Sequence, residues 1–400
     1  MTGFSNAGLD EIRGWMRGYV DSKKLPGALL LLALRGEIAL FDAYGWRWIE
    51  ADKPFERDTI VRIHSMTKPV TAVAALILLE EGALGLDDPV SRFIPSFASL
   101  TANRCGIEDR IEPVPVERPM TVRHLLTHTS GLTYGEGNLG AVARMYEERR
   151  TDFGTDDGPL SEVVDRLAEI PLLFEPGTAW NYGVSTDVLG RVVEIASGLP
   201  LDRFMQERIL DPLGLADTAF HVPREKVDRF AALYQATDGG LRLLETPAGS
   251  PQAGDVITLS GGGGLVSTAL DYFRFAEVLR QGGAIGGVRV LDESTVRLMT
   301  SDQLGQDLAA LGQPTFNETT TAGVGFGLGV SVVLDPSRSA WRSTRGEFGW
   351  GGYASTAFWV DPAQEITAIF LTQALPSDRY PIRGELRALV ADALSATVSP

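Results

Sequence analysis

Apolar residues fall into separable patterns along this chain. Between Met1 and Lys24 they recur at helical spacing among Asp10, Glu11, Arg13, Arg17 and Asp21, which predicts an amphipathic helix. Ala28 to Leu34 is apolar, Arg35-Gly36 breaks the run, and Glu37 to Tyr44 resumes it, which predicts a hairpin. Val70, Val73, Ala74, Ile77 and Leu78 then follow a helical repeat, and Ala72, Ala75, Leu76 and Leu79 make the opposite face apolar too. That pattern predicts a helix buried on most sides, with Gly82 as its stop.

From Leu84 to about Gly254 the pattern changes. Short helical stretches (Val122 to Leu126, Ser161 to Ile170, Ser185 to Ala196, Leu201 to Ile209) alternate with polar or Pro-rich loops such as Ile111 to Pro119 and Thr151 to Pro159. No strand is predicted there. Gly261 to Gly264 looks like a flexible hinge, and Leu270 to Arg280 like a helix. Strands return at Phe326 to Leu334, Ala354 to Val360 and Ile366 to Thr372, before a helix from Ile382 to Leu394. Asp361 to Gln364 is the turn between the last two strands. Strands at both ends and helices between predict an α+β fold: an antiparallel sheet built from both termini and flanked by helices, with an inserted, mainly helical lobe. The expected division is residues 1–83 with 260–400 for the sheet domain, and 84–259 for the helical one.

Composition narrows the classes. At 400 residues the chain exceeds a usual single core. A net charge of −16 argues against nucleic acid and anionic membranes as partners. The one cysteine, Cys105, excludes an internal disulfide and a multi-cysteine metal site. The first 24 residues lack a signal-peptide core, and the longest apolar runs are too short to span a bilayer. A soluble, cytoplasmic protein is the expectation.

The candidate chemistry starts at His64-Ser65-Met66-Thr67-Lys68-Pro69. Ser65 and Lys68 are three apart, hence neighbours on one helix face. Free N–H groups and the helix dipole favour negative charge at a helix start, and a nearby base activates a serine. A Ser-x-x-Lys by itself also describes a capped helix with a solvated lysine. Tyr182, in Trp180-Asn181-Tyr182-Gly183-Val184, stands at a loop-to-helix junction, where a phenol beside a lysine can serve as base or simply edge the core. Trp350-Gly351-Gly352-Tyr353 opens the strand Ala354 to Val360, and its glycines allow a ligand close to the backbone or mark a bulge.

Together these stretches resemble the three motifs of the serine β-lactamase and penicillin-binding superfamily. The surrounding Leu125-Leu126-Thr127-His128-Thr129-Ser130-Gly131-Leu132, Phe174-Glu175-Pro176-Gly177 and Gly261-Gly262-Gly263-Gly264-Leu265-Val266-Ser267-Thr268 resemble its class C branch, and most closely the family VIII carboxylesterases. The resemblance covers roughly residues 8 to 390. It implies a Ser65 nucleophile, Lys68 holding the proton balance, Tyr182 as base, and the Ser65 and Tyr353 amides as oxyanion donors, in a cleft between the two domains. Trp350, Gly351, Gly352, Tyr134 and Asp187 are the expected substrate-side residues, and Trp341 and Phe348 are candidates for an apolar wall. Two departures stand out. Val184 replaces the asparagine that helps hold a substrate amide, and Trp350 replaces the lysine that receives a β-lactam carboxylate. Both favour an uncharged ester as the small-molecule substrate, over an amidase, D-aminopeptidase or β-lactamase, and the resemblance implies short acyl chains. Acyl transfer to another acceptor stays open. A non-catalytic relative is expected to lose Ser65, Lys68 or Tyr182, and all three are present.

No metal or cofactor is expected. His124 and His128 have a metal-ligand spacing, but no glutamate follows His124. Ser185 half-resembles a nucleophile elbow, without the second glycine or a preceding strand, and is expected to cap a helix.

Overall fold

The computed structural model describes residues 2–316 and 319–396. In chain order, helix α1 (Asn6–Asp21) precedes strands β1 (Gly27–Leu34), β2 (Glu37–Trp48) and β3 (Lys53–Pro54). Helices α2 (Thr67–Glu80), α3 (Ser185–Ser197) and α4 (Ala269–Arg280) follow. Then come β4 (Val324–Phe326), β5 (Ser331–Val333), β6 (Phe348–Gly351), β7 (Ala357–Asp361), β8 (Ile366–Thr372) and helix α5 (Ile382–Ala393). One antiparallel sheet runs β4-β5-β6-β7-β8-β1-β2-β3, so strands from both ends of the chain meet where β8 pairs with β1, Ile369 opposite Leu31. The α+β class read from the sequence is the class observed.

The unbroken apolar run of β1 has a simple cause: both of its faces are covered. Ala28, Leu30 and Leu32, with Ala368 and Phe370 of β8, pack on Leu9, Ile12 and Met16 of α1 and Leu386 and Val390 of α5. Leu29, Leu31 and Ala33, with Ile369 and Leu371, join the larger core that holds α2, α3 and α4. Trp15 and Tyr19 of α1 each donate to Glu385 Oε2 of α5 at 2.8 Å, tying the outer helices together. Helix α2 is buried from Thr67 to Leu78, as its two apolar faces predict, and Gly82 follows it at φ +71°.

The structure differs from the sequence reading in identifiable places. Ser65 lies on a single 3-10 turn, His64–Met66, and the α-helix begins at Thr67. Phe326 to Leu334 is not one strand: it turns at Gly327–Gly329, because Gly329 (φ +86°) passes so close to α2 that a Cβ there would sit 2.6 Å from the Ala72 methyl. Trp350-Gly351 ends its own strand, β6, instead of opening the next. The helix from Leu201 loosens into a π turn at Gln206–Leu210. Helices Ala141–Arg149 and Glu293–Met299 were not expected. Neither were strands Thr101–Asn103, Pro113–Pro115, Leu233–Thr237 and Gly240–Glu245, and the third of these pairs parallel with Ala374–Leu375. No helix among the described residues is long and apolar enough to cross a membrane.

Behind the sheet, Arg387 of α5 lies between the rings of Trp341 and Trp359, 4.7 and 4.6 Å from their centroids, and donates to Glu347 at 2.9 Å. Burial pushes the Glu347 carboxyl up to about 7, against the pull of Arg387. A carboxyl raised above its unfolded value adds stability below about pH 4.5 that is lost as pH climbs toward about 7. Glu347→Gln is therefore expected to flatten the fall in melting temperature between about pH 5 and about pH 8. Thermal melts of both proteins across that range check this, and equal slopes refute it.

Candidate active site

Ser65 is fixed by the bonds of its neighbours. Ile63 N–H donates to Leu265 O at 3.1 Å, the Tyr272 hydroxyl donates to Met66 O at 2.8 Å, and Leu265 N–H donates to Thr67 Oγ1 at 3.1 Å. His64 takes φ +44°, which lets the chain turn sharply into α2. One turn on, Lys68 is only 1% exposed. Its Nζ donates to Gly262 O at 2.7 Å, Tyr134 OH at 3.0 Å and Ser65 Oγ at 3.3 Å. Three acceptors match the three N–H bonds of an ammonium.

The peptide of Gly262 carries this charge further. Its carbonyl faces Lys68, and its N–H donates to Asp187 Oδ1 at 2.9 Å, which Ser260 Oγ also reaches at 2.5 Å. Burial raises the Asp187 carboxyl, while Lys68, Ser260 and Gly262 hold it back. Asp187, expected on the substrate side, is 1% exposed and lines the cleft, its Oδ1 engaged by Ser260 and Gly262. Nor is the Gly261–Gly264 run a hinge: Thr71 Oγ1 donates to Gly261 O at 2.6 Å, and a Cβ on Gly262 would lie 2.2 Å from Asp187 Oδ2. Those glycines permit close packing.

Tyr134 and Tyr182 arrive on two loops that lie side by side. Val184 N–H donates to Thr133 O at 3.2 Å, Asn181 Nδ2 donates to Leu132 O at 3.0 Å, and a Cβ on Gly183 would meet Thr133 Cα at 2.5 Å. Their rings come within 5.6 Å, and Lys68 Nζ stands 4.6 Å from the Tyr182 ring centroid. Trp350 Nε1 donates to the Tyr182 hydroxyl at 3.3 Å. Phe316, which the sequence reading missed, packs on both Tyr182 and Trp350, with centroids 5.0 and 5.4 Å away.

Past β6, Gly352 touches the Ser65 turn so closely that a Cβ would sit 2.4 Å from Ile63 O, and Gly351 lies against the Arg383 guanidinium. Tyr353 follows, its hydroxyl donating to Glu136 at 3.3 Å. Among the described residues, neither the Ser65 nor the Tyr353 amide donates to a protein acceptor. The cleft here measures about 700 Å³, and Ser65, Tyr134, Tyr182, Phe316, Trp350 and Tyr353 line it. Phe348 lies in the core instead of the wall, and Trp341 lines the cleft while stacking on Arg387.

The remaining candidates have other work. Ser185 is fully buried and shares a 2.8 Å hydrogen bond with Ser130. His124 caps the helix Val122–Leu126, its Nδ1 accepting from Thr121 N–H at 3.2 Å. His128 is buried against Tyr182 and Phe326, and burial with the nearby Lys68 charge pushes its pKa well down. Burial, helped by Arg62 and Lys68, pushes His64 down to about 3. No group of three or more His, Cys, Asp or Glu that could hold a metal is found among the described residues.

A two-faced antiparallel sheet with a Ser-x-x-Lys turn packed against the end of one of its strands is the arrangement of the β-lactamase and penicillin-binding fold. The chain belongs to the Beta-lactamase family, whose model matches residues 12–392. It is 34% identical to esterase EstB of Burkholderia gladioli over 369 residues, covering 88% of this chain and 86% of that protein. It is 31% identical to lovastatin esterase of Penicillium rubens over 387 residues, covering 92% and 93%. Among solved structures, EstCE1, a hydrolase with promiscuous acyltransferase activity, superposes with a TM-score of 0.80 at 28% identity, covering 97% of this chain and 98% of its own. Simvastatin synthase of Aspergillus terreus superposes with a TM-score of 0.78 at 25% identity, covering 96% and 97%.

The Gly262 contact yields a test. Gly262→Ala is expected to cost about 1–3 kcal/mol, because the added methyl must push Asp187 or the Lys68 acceptor aside. Denaturant unfolding measures it, and native stability would mean that the loop gives way freely.

Proposed function

We propose that the protein is a carboxylesterase that cleaves uncharged, short-chain carboxylic esters through an acyl-enzyme on Ser65. Family and relatives support the broader chemistry, a serine hydrolase or acyltransferase on the β-lactamase fold. The observation that carries the finer reading is the buried Lys68, which contacts Ser65 and lies under Tyr182, at the base of a cleft walled by Trp350 and Phe316. With Trp350 where β-lactamases carry lysine, this strand offers no ammonium to a substrate carboxylate, and its apolar ring suits a neutral ester.

In the proposed reaction Ser65 Oγ attacks the ester carbonyl while its proton passes to Tyr182. The new oxyanion is held by the Ser65 and Tyr353 amides. As the tetrahedral centre collapses, the C–O bond to the alcohol breaks and Tyr182 returns the proton to the departing oxygen. Water then attacks the acyl group by the same route and frees Ser65. Lys68, hydrogen-bonded to Ser65 and facing the Tyr182 ring, stabilises negative charge on either oxygen. An alcohol in place of water gives acyl transfer, a second reading favoured by the likeness to EstCE1 and simvastatin synthase. An amide-cleaving role is disfavoured by Val184 and Trp350. We further infer, from its charge of −16, that nucleic acid and anionic membranes are not its partners.

Ser65→Ala is expected to abolish turnover of p-nitrophenyl esters and leave the melting temperature unchanged, and a fluorophosphonate probe to label the Ser65 peptide. Labelling at Ser185 would overturn the assignment. Tyr182→Phe is expected to lower turnover by about 10²-fold or more, the usual size of a lost general base, with a smaller change in KM. p-Nitrophenyl esters of graded chain length, run beside nitrocefin, rank the substrate classes. Faster nitrocefin turnover would replace the esterase reading with an amide-cleaving one.

A further inference from the structure

We propose that Trp350 and Tyr134 are positioning residues that hold the Tyr182 oxygen between two neutral hydrogen-bond donors, so that an indole N–H substitutes for the missing lysine in readying Tyr182 as a base. The proposal rests on the reading of Tyr182 as that base.

A phenol ionises near pH 10, so a tyrosine base working near neutrality needs its anion stabilised. A lysine at position 350 would do so by charge. The structure shows another arrangement around the same atom. Trp350 Nε1 donates to the Tyr182 oxygen at 3.3 Å. The Tyr134 hydroxyl accepts from Lys68 at 3.0 Å and stands beside Tyr182, their ring centroids 5.6 Å apart. Burial and its anionic neighbours raise the Tyr134 phenol well above its usual range, which keeps its proton in place for donation to Tyr182. Lys68 reaches Tyr182 through the ring face and through Tyr134.

The surroundings leave these donors to act. From α2 the facing charge is Lys68, which stands 4.6 Å from the Tyr182 ring centroid. From the loop before Tyr134 it is His128, whose ring is 5.0 Å from Tyr182 and which is kept neutral. From α3, Asp187 faces Lys68 across the Gly262 peptide, and Asp152 and Asp187 act on Tyr134. The other walls, Trp180, Phe316 and Phe326, carry no charge. Trp350 thus does two jobs from one position: its ring walls the cleft, and its N–H addresses the base. Charge-assisted bonds to an oxyanion are stronger than neutral ones, so both donors favour the ionised phenol over the neutral one.

The test compares the native protein with Trp350→Phe, which keeps an aromatic wall and loses the donor, and with Tyr134→Phe. Two readouts are taken: the pH profile of kcat/KM on p-nitrophenyl butyrate, and an ultraviolet difference titration of tyrosinate, with Tyr182→Phe identifying the Tyr182 contribution. Each substitution is expected to raise the Tyr182 titration and the acid limb of the profile by about one pH unit. At neutral pH, kcat is then expected to fall about tenfold with KM little changed, and activity to recover at higher pH. If Trp350→Phe lowers turnover at every pH and leaves both titrations in place, Trp350 only walls the cleft and the proposal fails. It fails too if Tyr182 in the native protein titrates like a free phenol. Should Trp350→Phe not fold, Tyr134→Phe tests the donor pair through the same two readouts, and unmoved titrations there also sink the proposal. Loss of the esterase reading is seen separately, as absent ester turnover in a native protein whose Tyr182 titration is still shifted by the substitutions.

Discussion

A lysine ammonium is buried at the start of a helix that is itself apolar on nearly every side, and the architecture around it follows from making that burial tolerable. An unpaired charge there would cost several kcal/mol. Lys68 meets three acceptors, and its charge is opposed by Asp187 across one peptide. That arrangement requires position 262 to be glycine, because a side chain would occupy the space of the Asp187 carboxylate. It also brings α2, α3 and the loop at 260–265 into direct contact, through the Thr71–Gly261 and Ser260–Asp187 bonds.

The same cation governs its titratable neighbours. His64 and His128 lie close enough to lose their protons to burial and to its repulsion, so neither adds positive charge beside Tyr182. Tyr134 is affected in the opposite sense: its oxygen accepts from Lys68, yet burial holds its proton firmly. The outcome is a site with one ammonium touching the nucleophile and one phenol, while Trp180, Phe316, Phe326 and Trp350 pack an apolar cluster on the other side of Tyr182.

Much of the fold was legible because burial on two faces leaves a plain signature. The Gly27–Leu34 run and the double-faced apolar pattern after Lys68 each state their environment directly. Ser65, Lys68, Tyr182 and Trp350 were legible as residue types at motif spacing, and the structure brings all four together. What stayed hidden depends on partners distant in sequence. The pattern in Leu233–Thr237 does not reveal that it pairs with Ala374–Leu375, and the glycines at 261–264 look flexible until the helices they touch are known. Gly329 breaks a predicted strand because of a methyl on Ala72, some 250 positions away by number. Phe316 carried no signal, since a single aromatic residue in a polar stretch has no period to read.

The candidate groups sit on segments roughly 65, 182 and 350 residues along the chain, and each is held by main-chain contacts independent of the chemistry. The Ser65 turn hangs on Leu265 and Tyr272, the Tyr182 loop on Leu132 and Thr133, and β6 on its pairing with β7 and on the Ser331 bond to Gly349 O at 2.8 Å. Side chains at the site are therefore placed by contacts that lie outside the reacting groups. A frame of this kind can hold reacting atoms to within a fraction of an ångström, which is what orientation in catalysis demands. It also lets residue 350 change without displacing the nucleophile. Exchanging lysine for tryptophan at the end of β6 changes the charge and shape offered to a substrate, while Ser65, Lys68 and Gly262 keep their positions because none of their contacts runs through residue 350.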